Sequence, residues 1–94
     1  MYLGDIMESK ISIITNIETN YKGFTKTEKI IADYVRENLN DIYTMTLSAL
    51  ATNCQVGEAT IMRFIKKLGF ANLAEFKISV ANYLMEEEKR SYSE

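Results

Sequence analysis

Arg63, Lys66 and Lys67 lie within five residues of one another in the stretch EATIMRFIKKLGF. Their types suit one chemistry, charge-assisted hydrogen bonding to an anion, and an arginine fork can also hold the O6 and N7 of a guanine edge. Few other residues offer competing chemistry. The chain has no histidine and a single cysteine, Cys54, which excludes Ser/His and Cys/His nucleophile pairs, the usual zinc spacings and an internal disulfide. Gly4, Gly23, Gly57 and Gly69 fit neither a phosphate-cradling loop nor a dinucleotide fingerprint. Glu86, Glu87 and Glu88 point around a helix and mostly to water. No catalytic, cofactor or metal site is expected, and the chain is read as a non-enzyme.

The cations need a scaffold, and the apolar residues between them supply it. Ile61, Phe64, Ile65 and Leu68 recur at the i, i+3, i+4, i+7 spacing of one buried helix face. With about 100° between successive residues, that face turns Gly57, Glu58, Ala59, Met62, Arg63 and Lys66 outward, with Lys67 at the flank. Leu47, Leu50, Ala51 and Cys54 repeat the spacing on a preceding helix that Thr46 can cap. Ala51 is small where the second helix must cross. Gln55 stands where the turn needs left-handed backbone, and Val56 joins the apolar anchors. Two helices joined by so short a turn form a helix-turn-helix, whose second helix enters the major groove of DNA.

Arg63 is then the candidate for a bidentate guanine contact, Lys66 for base edges or phosphate, and Lys67 for the flanking phosphate strand. Gly57, Ala59 and Thr60 keep the helix start slim, with a methyl or hydroxyl available to thymine or phosphate. Thr46 is first a cap, and second a phosphate contact at its helix N-terminus. Glu58 repels phosphate unless it accepts from cytosine N4. Met62, partly exposed, suits a rival reading, a helical protein-interaction or dimerisation module without DNA binding.

The net charge of −2 excludes a globally basic nucleic-acid binder, but residues 57–79 carry +2 and leave room for a local patch. Ninety-four residues support one modest core. With no proline and no hairpin signal, the fold expected is all-α, with about five helices: a homeodomain-like three-helical core and flanking helices.

The first helix is placed at residues 5–20 on Ile6, Ile14 and Ile17, with Tyr21 beyond, a stripe broken once by Lys10, although ISIITNI also alternates as a strand would. Ile6, Ile13 and Ile17 would serve a dimer interface as readily as a core. Gly23 ends that segment, and Thr25 with Glu28 forms a capping box for a helix burying Ile31, Tyr34, Val35 and Leu39. Asn38 and Asn40 mark a break, followed by one turn at residues 41–43 that lays Ile42 on the core. Gly69 stops the basic helix, placed at residues 58–68. Asn72 and Glu75 open the last helix, with Leu73, Phe76, Val80 and Leu84 inward. The domain covers residues 1–85, and residues 86–94 form a fraying polar tail or the start of a linker. No signal peptide or membrane span is expected, so the location is cytoplasmic.

FTKTEKIIADYVRENLNDIYTMTLSALATNCQVGEATIMRFIKKLGFANLAEFK resembles the N-terminal domain of RpiR-type bacterial transcriptional regulators. The element EATIMRFIKKLGF carries most of the likeness, which extends over roughly residues 8–85. The resemblance implies a DNA-binding domain of a regulator of carbohydrate metabolism, bound as a homodimer to a double-stranded operator. It carries Glu58, Ala59, Thr60, Arg63, Lys66 and Lys67 over as DNA-facing. It also implies that a sugar phosphate acts only through a C-terminal sugar-isomerase-like domain, expected to be absent from these residues. Three positions depart from the pattern: Gln55 for glycine, Gly57 for a serine cap, and Leu39 for proline.

Overall fold

The computed structural model describes residues 12–93. Among them six helices form: α1 (Ile13–Asn20), α2 (Lys26–Glu37), α3 (Leu39–Ile42), α4 (Leu47–Cys54), α5 (Glu58–Lys67) and α6 (Leu73–Ser93), with a 3-10 turn at Tyr21–Gly23 between the first two. Residues 5–11 of the expected first helix lie outside the described residues.

Local chemistry sets the starts. The Ser12 hydroxyl accepts from the Thr15 N–H at 3.0 Å. Thr25 and Glu28 form the expected reciprocal capping box, at 3.1 and 2.8 Å. Thr46 accepts from the Ala49 N–H at 3.0 Å, and Asn72 from the Glu75 N–H at 2.9 Å. Each such cap contributes about 1 kcal/mol. Gly57, at the head of α5, has no side chain to cap with.

Two stops share one geometry. Gln55 takes φ 62° and Gly69 φ 104°, both in the left-handed region. Val56 N–H donates to the Ala51 carbonyl at 3.0 Å and Gln55 N–H to that of Thr52 at 3.1 Å. Phe70 N–H donates to Ile65 at 3.2 Å and Gly69 N–H to Lys66 at 2.9 Å. Each pair is a Schellman motif, which satisfies carbonyls that a helix end leaves open.

The core is apolar throughout, with no buried polar side chain among the described residues. Ile13 and Ile17 of α1, Ile31, Ala32 and Val35 of α2, Ile42 of α3, Leu50, Ala51 and Cys54 of α4, Ile61, Phe64 and Ile65 of α5, and Phe76 and Val80 of α6 converge there, joined by Phe24 and by Leu68 just past α5. Burying a large apolar side chain stabilises by about 1.5–3 kcal/mol, so α5 alone puts three such contributions into the centre.

Several expectations are corrected. The buried pair of α1 is Ile13 with Ile17, while Ile14 is half-buried. That four-residue spacing settles the segment as helix, and both side chains belong to the domain's own core. Tyr34 and Leu39 are also half-buried; the Tyr34 hydroxyl accepts from Asn53 Nδ2 at 2.9 Å, which keeps that ring end at the surface. Asn38 alone breaks the chain, with its amide donating to the Tyr34 carbonyl at 2.9 Å, and α3 already begins at Leu39. The acidic run is helical: α6 continues through Ser93. Glu, Lys and Arg are good helix formers without burial, and Arg90 meets Glu87 one turn away at 3.4 Å.

Candidate nucleic-acid interface

Helices α4 and α5 form the helix-turn-helix, joined by Gln55, Val56 and Gly57. Ala51, 4 % exposed, lets α5 cross closely, and Val56 packs half-buried against the core. Ile61, Phe64, Ile65 and Leu68 are all buried, so the rotational setting of α5 is fixed by four anchors. Ala59, Arg63 and Lys66 then form one exposed stripe along its outer face.

The two flanks of that stripe differ. On one, Glu58 is exposed and Met62 half-buried against the core. On the other, Thr60 accepts from Arg63 Nη2 at 3.2 Å. Lys67 Nζ donates to Glu28 Oε1 at 2.8 Å and stands 5.7 Å from the centre of the Phe24 ring. Arginine has five donors and lysine three, so both side chains retain N–H groups for a ligand. Gly57 is exposed at the head of the helix, and Thr46 is exposed at the head of α4 with its hydroxyl engaged in the cap. Glu58, Ala59, Thr60, Arg63, Lys66 and Lys67 thus lie on the solvent side of one helix.

Three residues that hold this surface are not evident from helix periodicity. Glu28 serves both its own capping box and Lys67, and these two partnerships, Lys67 first, hold its carboxyl below the usual value. Phe24 lies edge-on to Phe64, with ring centres 5.3 Å apart. Asn16 Nδ2 donates to the Leu68 carbonyl at 2.9 Å, tying α1 to an open carbonyl at the end of α5. Phe24 had a local signal, its place just before a capping box, where an apolar residue commonly fixes the chain's entry angle. Asn16 and the second bond of Glu28 had none.

A family model described as the helix-turn-helix domain of the rpiR family matches residues 11–87. The chain belongs to the rpiR helix-turn-helix family. The match makes this a DNA-binding regulatory domain, and α4 and α5 lie within the matched residues. Among similar proteins, an uncharacterised HTH-type transcriptional regulator of Clostridium perfringens is 35% identical over 81 residues, 86% of this chain and 29% of that protein. The HTH-type transcriptional regulator GlvR of Bacillus subtilis is 29% identical over 62 residues, 66% of this chain and 24% of that protein. The structure of Vibrio vulnificus NanR complexed with ManNAc-6P superimposes with a TM-score of 0.74 at 30% identity, over 78% of this chain and 28% of that one. The chain thus spans about 29% of the length of the Clostridium relative it matches. No helix among the described residues is long and apolar enough to cross a membrane.

Proposed function

We propose that this rpiR-type domain recognises a specific double-stranded operator by laying α5 in the major groove. The observation that carries the reading is the exposed stripe of Ala59, Arg63 and Lys66 on a helix whose opposite face is wholly buried. Arg63 reads a guanine edge, and Lys66 meets bases or phosphate. Lys67 offers its remaining donors to the flanking strand, and Thr60, Ala59, Glu58 and Gly57 line the approach at the helix head. Thr46 presents the start of α4 to a phosphate. Met62 packs on the domain itself, which favours DNA over a protein partner as the occupant of this face.

The domain acts in the cytoplasm as a homodimer, with two recognition helices about 34 Å apart on a pseudo-palindrome. It has no enzymatic activity, and its regulon concerns carbohydrate metabolism. A sugar phosphate would act through a C-terminal domain of the longer regulator; the NanR structure, solved with ManNAc-6P, supports that class of effector.

The test is a titration of the isotopically labelled chain with a mixed-sequence duplex at low salt, followed by backbone amide NMR. Shifts concentrated at residues 57–67 and 46–48, fading as salt rises, are expected. Amides that stay still throughout would refute groove docking.

A further inference from the structure

We infer that the turn before α2 and its first residue form a second phosphate-binding ledge beside the recognition helix, carried by Lys22 and Lys26. The inference rests on the proposed docking of α5 and adds a site to it.

Position is the first ground. Phe24 and Glu28 both touch α5, through Phe64 at 5.3 Å and Lys67 at 2.8 Å. Lys26 lies midway between these two contacts in sequence, and Lys22 two residues before Phe24, so each Cα is within about 7.6 Å of a residue packed on α5. The Glu28–Lys67 contact falls on the Thr60–Lys67 flank. With the buried face of α5 centred between Ile61, Phe64, Ile65 and Leu68, Lys67 stands about 70° from the groove-facing direction. Chain on that flank runs beside the rim of a major groove occupied by α5, where one phosphate strand passes.

Rigidity is the second ground. The Tyr21 ring has Lys29 Nζ at 5.3 Å and the Arg36 guanidinium at 5.1 Å, and its hydroxyl donates to Asp33 at 3.0 Å. Phe24 is 5 % exposed. Lys22 is therefore held on a turn anchored on both sides.

Charge is the third. Lys22 and Lys26 are exposed and make no ion pair with any described carboxylate, whereas Lys67, Arg36 and Arg90 each do. Two free cations on a fixed turn at a groove rim suit phosphate oxygens, which are read without regard to sequence.

The experiment measures fluorescence anisotropy of a labelled 24-base-pair mixed-sequence duplex with the full chain across a potassium chloride series. Each phosphate contact contributes about 0.9 to the slope of log affinity against log salt. Lys22→Gln with Lys26→Gln should flatten the slope by about 1.8, and Lys22→Arg with Lys26→Arg should keep it. Circular dichroism melts confirm that both variants fold. A flattening below about 0.5, with Lys66→Gln still flattening by about 0.9, overturns the ledge and leaves α5 docking intact. If the unaltered chain fails to bind at the lowest salt, docking and ledge fall together.

Discussion

Lys67 Nζ lies 2.8 Å from Glu28 Oε1, joining the last turn of α5 to the first turn of α2 across 39 residues of sequence. The same carboxylate accepts from the Thr25 N–H, so one side chain both starts a helix and sets the edge of the exposed α5 surface. The ion pair is partly solvated, Lys67 being 44 % exposed, and its contribution is geometric before it is energetic.

Acid should report this link. Glu28 has its carboxyl held below the ordinary 4.5, so the stabilisation it gives is complete above that value and is lost as pH falls through the lowered folded value. Urea unfolding of the native chain and Glu28→Gln across pH 3–6 should give curves that converge on acidification. A gap that stays constant with pH would contradict the linkage.

Arg63→Ala should cost about 1–3 kcal/mol of operator affinity and relax the preference at one base pair, whereas Lys66→Ala should weaken all sequences more evenly. Selection from a randomised duplex library, followed by titration of the winning site, separates the two. Equal losses on every sequence for Arg63→Ala would remove it from base recognition.

Gln55→Gly should stabilise the domain by about 0.5–1 kcal/mol, because a side chain at φ 62° is strained and glycine is not. The readout is a higher urea midpoint at unchanged m value. An unchanged or lower midpoint would mean that the Gln55 side chain compensates its own backbone.

Gly57→Ser should add a few tenths of a kcal/mol by supplying the missing cap of α5. The backbone there is already extended, φ −77° and ψ 159°, and a Cβ would meet nothing within 4 Å. Thermal unfolding should show a small upward shift, and a downward one would refute the capping account.

Much of this molecule is written locally. The inward residues Ile61, Phe64, Ile65 and Leu68, the caps at Thr25, Thr46 and Asn72, and the left-handed place of Gln55 follow from periodicity and short-range hydrogen bonding, and each is found as expected. What local reasoning misses depends on distant partners or on none. Asn16 finds Leu68 across 52 residues, and Glu28 finds Lys67, through folding alone. The EEEKRSYSE segment reads as a tail because it lacks apolar residues, yet propensity carries the helix onward.

The caps and stops also fix how much text the domain can read. Gly57 precedes and Gly69 follows α5, a helix of ten residues, about 15 Å long. That length matches about four base-pair steps. Four specified pairs recur by chance about once in 256 positions, a few thousand times among about 10⁶ competing sites. Two such helices reading together specify about eight pairs, found about once in 65,000, roughly fifteen occurrences among the same sites. If α5 reads DNA as proposed, its shortness leaves selectivity to two such helices acting together.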